Sequence, residues 1–136
     1  MSTHLEEKLE KILEIFDRLA KESAKGIPIV VEGINDVNAL RQLSISGKII
    51  PVKASGKNFI DMIDELVNAE KREIIVLMDF DRRGKELAKR MTRHLQELKI
   101  KPNMHFWNRF LKLVGRNVKD IEGLASYLKT LKKKVE

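Results

Sequence analysis

EIIVLMDFDRRGKEL, residues Glu73 to Leu87, ends an apolar run with two aspartates one residue apart and follows them at once with two arginines, a glycine and a lysine. The apolar run is the strongest strand signal in the chain. From Arg83 to Leu98 the apolar residues Leu87, Met91, Leu95 and Leu98 return at helical spacing, so a helix follows with almost no loop. Strand, sharp turn and helix are the recurring unit of a parallel sheet, and the fold turns on whether the flanking sequence repeats it.

It does. Leu5, Leu9, Ile12, Leu13, Phe16, Leu19 and Ala20 predict an amphipathic N-terminal helix over residues 3–24. Gly26 stops it, and IPIVVE (Ile27–Glu32) reads as a strand whose nearly continuous apolar residues suit burial on both faces. A helix over Asp36–Leu43 follows, with Asn35 as a capping residue. KIIPVKA (Lys48–Ala54) is a second strand, placed at an edge because Pro51 lacks the N–H that a ladder needs. SGKN (Ser55–Asn58) is a loop, and Phe59, Ile60, Ile63, Leu66 and Val67 mark the next helix. Past the quoted stretch, Pro102 ends the unit and MHFW (Met104–Trp107) reads as a short fourth strand. Two C-terminal helices over residues 107–133 complete the chain, the last beginning near Asp120. The expected class is α/β: a parallel four-stranded sheet with helices on both faces, one domain over residues 1–136.

Composition excludes several functions. Among 136 residues, 43% are hydrophobic and 35% charged, which fits a folded soluble chain. No apolar run approaches the ~18 residues of a membrane span, and the charged, amphipathic start is not a secretory signal. With no cysteine there is no disulfide, thiolate zinc site or cysteine nucleophile. A cytoplasmic protein without a membrane partner is expected. Charge is uneven: residues 1–81 hold 11 Lys and Arg against 15 Asp and Glu, a net −4, whereas residues 82–136 hold 16 against 5, a net +11. A basic surface of that kind suits a polyanion, though solvated helix faces and a basic tail would give the same count.

In an open parallel sheet, ligands gather beyond the carboxyl ends of the strands. Two acidic groups fall there, EGIND (Glu32–Asp36) and DFD (Asp79–Asp81). Residues two apart in extended chain point the same way, so Asp79 and Asp81 can share a hard cation while Phe80 packs behind them. Alternatively, Asp79 ends the strand and Asp81 caps the helix. Arg82, Arg83, Gly84 and Lys85 tip the balance, because they bring a phosphate-suited fork and a close-approach glycine to a helix start that already favours anions. Glu32 directly follows apolar IVV and is suited to ligate metal or move a proton. Gly33 allows a tight turn there, and Asp36 falls in the first helical turn, where acids are favoured. Lys53 and Lys57 can reach the same face. SGKN is no phosphate loop, because the preceding glycine is missing. His4, His94 and His105 have no ligand spacing, Trp107 can stack a base or pack, and Asp120 and Glu122 look like helix-start acids with a further role open.

VVEGINDV and VLMDFDRRGKEL resemble the two signature motifs of the Toprim domain, shared by topoisomerases, bacterial-type primases and small nucleases. The likeness covers Gly26 to Lys101 and extends to the small stand-alone archaeal proteins of that family. It implies a Rossmann-like Toprim fold, Mg²⁺ (with Mn²⁺ as substitute) held by Glu32, Asp79 and Asp81, and phosphoryl transfer on RNA or DNA. Gly33, Asp36, Arg82 and Gly84 match accompanying positions. A topoisomerase's tyrosine domain and a primase's zinc module are missing, since the lone Tyr127 lies in a helix. The small nucleases are then the closest analogy. A non-catalytic RNA- or DNA-binding module, or a subunit of a processing complex with protein partners, is the alternative.

Overall fold

The computed structural model describes residues 4–53, 59–68, 70 and 72–136. In chain order its elements are α1 (His4–Ala24), β1 (Ile29–Val31), α2 (Ile34–Gln42), β2 (Ile49–Pro51), α3 (Phe59–Asn68), β3 (Glu73–Leu77), α4 (Arg82–Glu97), β4 (Lys101–Asn103), α5 (His105–Val114) and α6 (Ile121–Val135). The strands form one parallel sheet in the order β2-β1-β3-β4. Val31 lies opposite Pro51 on one side and Leu77 on the other. Ile29–Val31 and Ile74–Leu77 are wholly buried, which is why both interior strands read as unbroken apolar runs.

Strand order decides the layers. The chain leaves β1 outward through α2 to β2, then returns through α3 to β3 and continues through α4 to β4. Parallel crossovers are right-handed, so the reversal of direction puts α2 on one face and α3 and α4 on the other. Helix α2 packs on α6, and α1 packs on both α5 and α6, completing the first layer. There Phe16 meets Phe110 with ring centroids 4.8 Å apart, among buried Ile12, Ile15, Leu19, Leu124 and Leu128. Gly26, at φ 97°, turns the chain from α1 into β1 in a left-handed conformation that a side chain would strain.

Pro51 is indeed on an edge strand. The fourth strand, however, is KPN and not MHFW. Lys101 N–H donates to the Arg72 carbonyl at 2.7 Å; successive N–H groups alternate sides, so the Pro102 nitrogen faces the open edge, where no donor is needed. Asn103 Oδ1 then accepts the His105 N–H at 3.0 Å and turns the chain into α5. Phe106, Trp107, Phe110 and Val114 are buried at helical spacing, so the aromatic run belongs to a helix beginning two residues before the expected 107. Asn35 is exposed within the first turn of α2 and does not cap it; the capping side chain is Asp36, reaching back to Gly33 N–H at 3.2 Å.

Candidate functional site

The reversal of strand order between β1 and β3 is the topological switch point of the sheet, where adjacent connections diverge and leave a crevice. Glu32 follows β1 and Asp79 stands two residues beyond β3, so both acids enter that crevice from neighbouring strands. Glu32 is 6% exposed. Its Oε1 accepts the Asp79 N–H at 3.3 Å, and its Oε2 meets Lys53 Nζ at 3.1 Å. Burial and the adjoining Glu32 carboxylate push the Asp79 carboxyl up to about 7. A cation bound beside Asp79 would offset the repulsion that raises its carboxyl.

The turn carrying Asp79 is clamped from the C-terminal layer. Trp107 Nε1 donates to the Met78 carbonyl at 2.8 Å, and Phe80 N–H donates to the Lys119 carbonyl at 2.6 Å. The buried Phe80 ring lies beside Trp107 at 6.2 Å, so it packs behind the acids as its place in DFD implies. Asp81 is exposed and caps α4, its Oδ1 accepting the Gly84 N–H at 2.8 Å. Gly84 is required sterically, since a Cβ there would stand 2.1 Å from the Asp79 carbonyl oxygen.

The remaining acids and bases divide by face. Asp36 is buried with both oxygens engaged: Oδ2 accepts from Gly33 N–H and Oδ1 from Glu122 N–H at 3.0 Å. Burial pushes its carboxyl above the usual value, although both N–H groups favour the charged form. Asp36 therefore ties α2 to α6. Gly33 is extended, at φ −134°, so no tight turn demands glycine there; its N–H is what the site uses. Arg83 and Lys53 line a cleft of about 260 Å³ with Glu32 and Arg90. Arg82 projects into solvent and meets Glu86 at 3.6 Å. Lys85 leaves this cleft for the opposite side of α4. Lys57 lies outside the described residues.

Arg90 escaped sequence reasoning, whereas Asp120 is the helix-start acid expected there, with its further role now visible. Arg90 is seven residues after Arg83, two helical turns, so the periodicity that marked α4 already placed both on one side. Asp120 caps α6, accepting Gly123 N–H at 2.6 Å, and its charge also raises the Asp79 and Asp36 carboxyls. Nothing local in sequence links it to β3. Tyr127 packs in α6, with Lys8 Nζ 5.3 Å from its ring centre. Among the described residues, no three His, Asp or Glu side chains form a ready-made cation cage. Lys53 meets the Glu32 carboxylate, and Asp81 Oδ1 caps its own helix. Among the same residues no helix is long and apolar enough to cross a membrane.

This chain has relatives among known proteins. The Toprim domain model matches residues 27–108, a span holding Glu32, Asp36, Asp79 and Asp81 and ending inside α5. A UPF0292 protein of Methanocaldococcus jannaschii is 38% identical over 124 residues, 90% of this chain and 94% of that one. A UPF0292 protein of Methanosarcina barkeri is 34% identical over 128 residues, 93% of this chain and 87% of its own. Among solved structures, a protein from Aquifex aeolicus matches with a TM-score of 0.68 at 33% identity, covering 80% of this chain and 94% of that chain.

Proposed function

This chain belongs to the Toprim domain family, alongside the small archaeal UPF0292 proteins, and on that premise we propose that it is a Mg²⁺-dependent phosphoryl-transfer protein acting on RNA or DNA, foremost a small nuclease. The observation that carries the reading is the Glu32–Asp79 pair at the switch point, with the Lys53 ammonium already drawn to the Glu32 carboxylate. That donor set fits a hard divalent ion, which prefers carboxylates and keeps water for a phosphate to replace. Glu32 and Asp79 would hold Mg²⁺ or Mn²⁺, with Asp81 as third ligand. The ion would supply Lewis-acid withdrawal of charge from a phosphoryl oxygen.

The chain's own groups do the rest. Arg83, Arg90 and Lys53 give the cleft beside Glu32 three cations for a phosphodiester. The free N–H groups at the start of α4 add partial positive charge on the same side. Lys53, once released from Glu32, turns from counter-ion to phosphate contact. Glu32 is the group placed to move a proton to or from the reacting oxygen.

The second reading, a non-catalytic RNA- or DNA-binding module or a subunit of a processing complex, rests on Lys53 filling the Glu32 site and Asp81 capping α4. Cleavage of labelled structured RNA and of single- and double-stranded DNA with Mg²⁺ or Mn²⁺ separates the two. Glu32→Gln and Asp79→Asn are expected to lose activity by on the order of 10²-fold or more. Strand binding that weakens on metal removal, with no bond broken, would sink the nuclease and leave the module or subunit.

A further inference from the structure

Helix α4 is a basic ridge between two hollows. Arg83 and Arg90 look into the cleft at Glu32. On the other side, a larger hollow of about 460 Å³ lies against α5 and the segment before it. Its floor is Ala88, Met104 and Trp107, and Lys85, Lys89 and Arg93 stand along its rim without any acid in the lining. These three cations recur every four residues, so they run in a line about 12 Å long at 1.5 Å rise per residue.

We infer that this hollow is a second nucleic-acid subsite, which takes unpaired bases of a single strand on its apolar floor and the adjoining phosphates on Lys85, Lys89 and Arg93. The inference rests on the function proposed above and extends it by saying where the strand flanking the reacting phosphate lies. Flat apolar rings alternating with charges are what a single strand offers; a duplex keeps its bases stacked inside. Spaced about 6 Å apart along that line, the three cations can each meet one of three successive phosphates of a strand. The hollow also joins the acids: Lys85 follows Gly84, and the Trp107 indole in its floor holds the Met78 carbonyl, one residue before Asp79.

The chain has one tryptophan, so its emission reports on this floor. In EDTA, the full-length protein is titrated with a 12-nucleotide single strand, an abasic strand of equal length and a polyglutamate of equal charge. Fluorescence follows Trp107 and anisotropy follows the labelled strand. The single strand is expected to change the emission and to bind at least about 10-fold more tightly than the other two. In a Lys85→Gln, Lys89→Gln, Arg93→Gln protein, affinity should fall about 10-fold or more. Its salt slope should fall by about 2, at ~0.7 per lost single-strand contact. Arg83→Gln should leave the emission change in place. Binding by anisotropy with unaltered affinity in the triple variant and silent emission overturns the subsite while sparing the site at Glu32. Polyglutamate matching the strand makes the hollow a protein-docking surface and overturns it too. No binding of any strand in EDTA overturns the subsite, while the metal-dependent function is decided separately by the cleavage assay with Mg²⁺ or Mn²⁺.

Discussion

Asp79 shows how one residue can record the chemistry expected of its surroundings. Removed from water beside Glu32, it keeps a proton up to about pH 7, whereas an unfolded aspartate releases it near 3.8. Between those values the folded chain binds more protons than the unfolded one, so metal-free stability falls as pH rises through that window. Melting curves from pH 4 to 8 should show this fall in the wild type and a flatter profile in Asp79→Asn. Mg²⁺ should raise the wild-type Tm more at pH 8 than at pH 5, because a cation replaces the proton. Equal slopes in both proteins would show that Asp79 is an ordinary solvated acid. Its nearness to Glu32 was legible in the two acidic strand ends, since parallel neighbours bring such ends together. Lys53 was expected at the same face, but its pairing with Glu32 was not legible, because it depends on where the chain runs after Pro51.

At the scale of elements, the joint between β3 and α4 is set by how closely a helix start can approach a strand end. Gly84 permits that approach, and alanine there would drive its methyl into backbone that cannot rotate away. Gly84→Ala should cost about 1–3 kcal/mol in urea unfolding, the range for overpacking a close contact, and should weaken Mg²⁺ binding by shifting Asp79. Unchanged stability and affinity would mean that the joint has slack. Strands β1 and β3 were legible because burial on both faces leaves them continuously apolar. Strand β4 was not, because a three-residue edge strand needs neither apolar residues nor a full set of N–H groups, and KPN has neither. The aromatic run beside it drew the strand assignment. Its spacing from Phe106 to Val114 was the better signal.

Across the whole molecule, the acids depend on a layer beyond the motifs. Asp36 joins the starts of α2 and α6, and Lys119 and Trp107 hold the turn that carries Asp79. Asp36→Ala leaves two part-buried N–H groups without their acceptor, an expected cost of about 1–3 kcal/mol. It also removes one of the charges that keep Asp79 protonated, so the pH window should move down. Urea unfolding at pH 5 and pH 8 checks both effects, and an unshifted window would place Asp36 outside the electrostatics of the site. Such ties were invisible in sequence, since they join residues with no shared periodicity.

The separation of those ties along the chain has a temporal consequence. The Asp36–Glu122 contact spans 86 residues, and Phe80 must await Lys119. Synthesis delivers residues from the N-terminus, and contacts between distant positions carry the larger loop-closure cost. A ribosome that has already released β1, β3 and both acidic strand ends still holds a chain whose acids are unsupported. The support closes only when α6 begins to emerge, so the finished site forms well after the acidic strand ends that compose it.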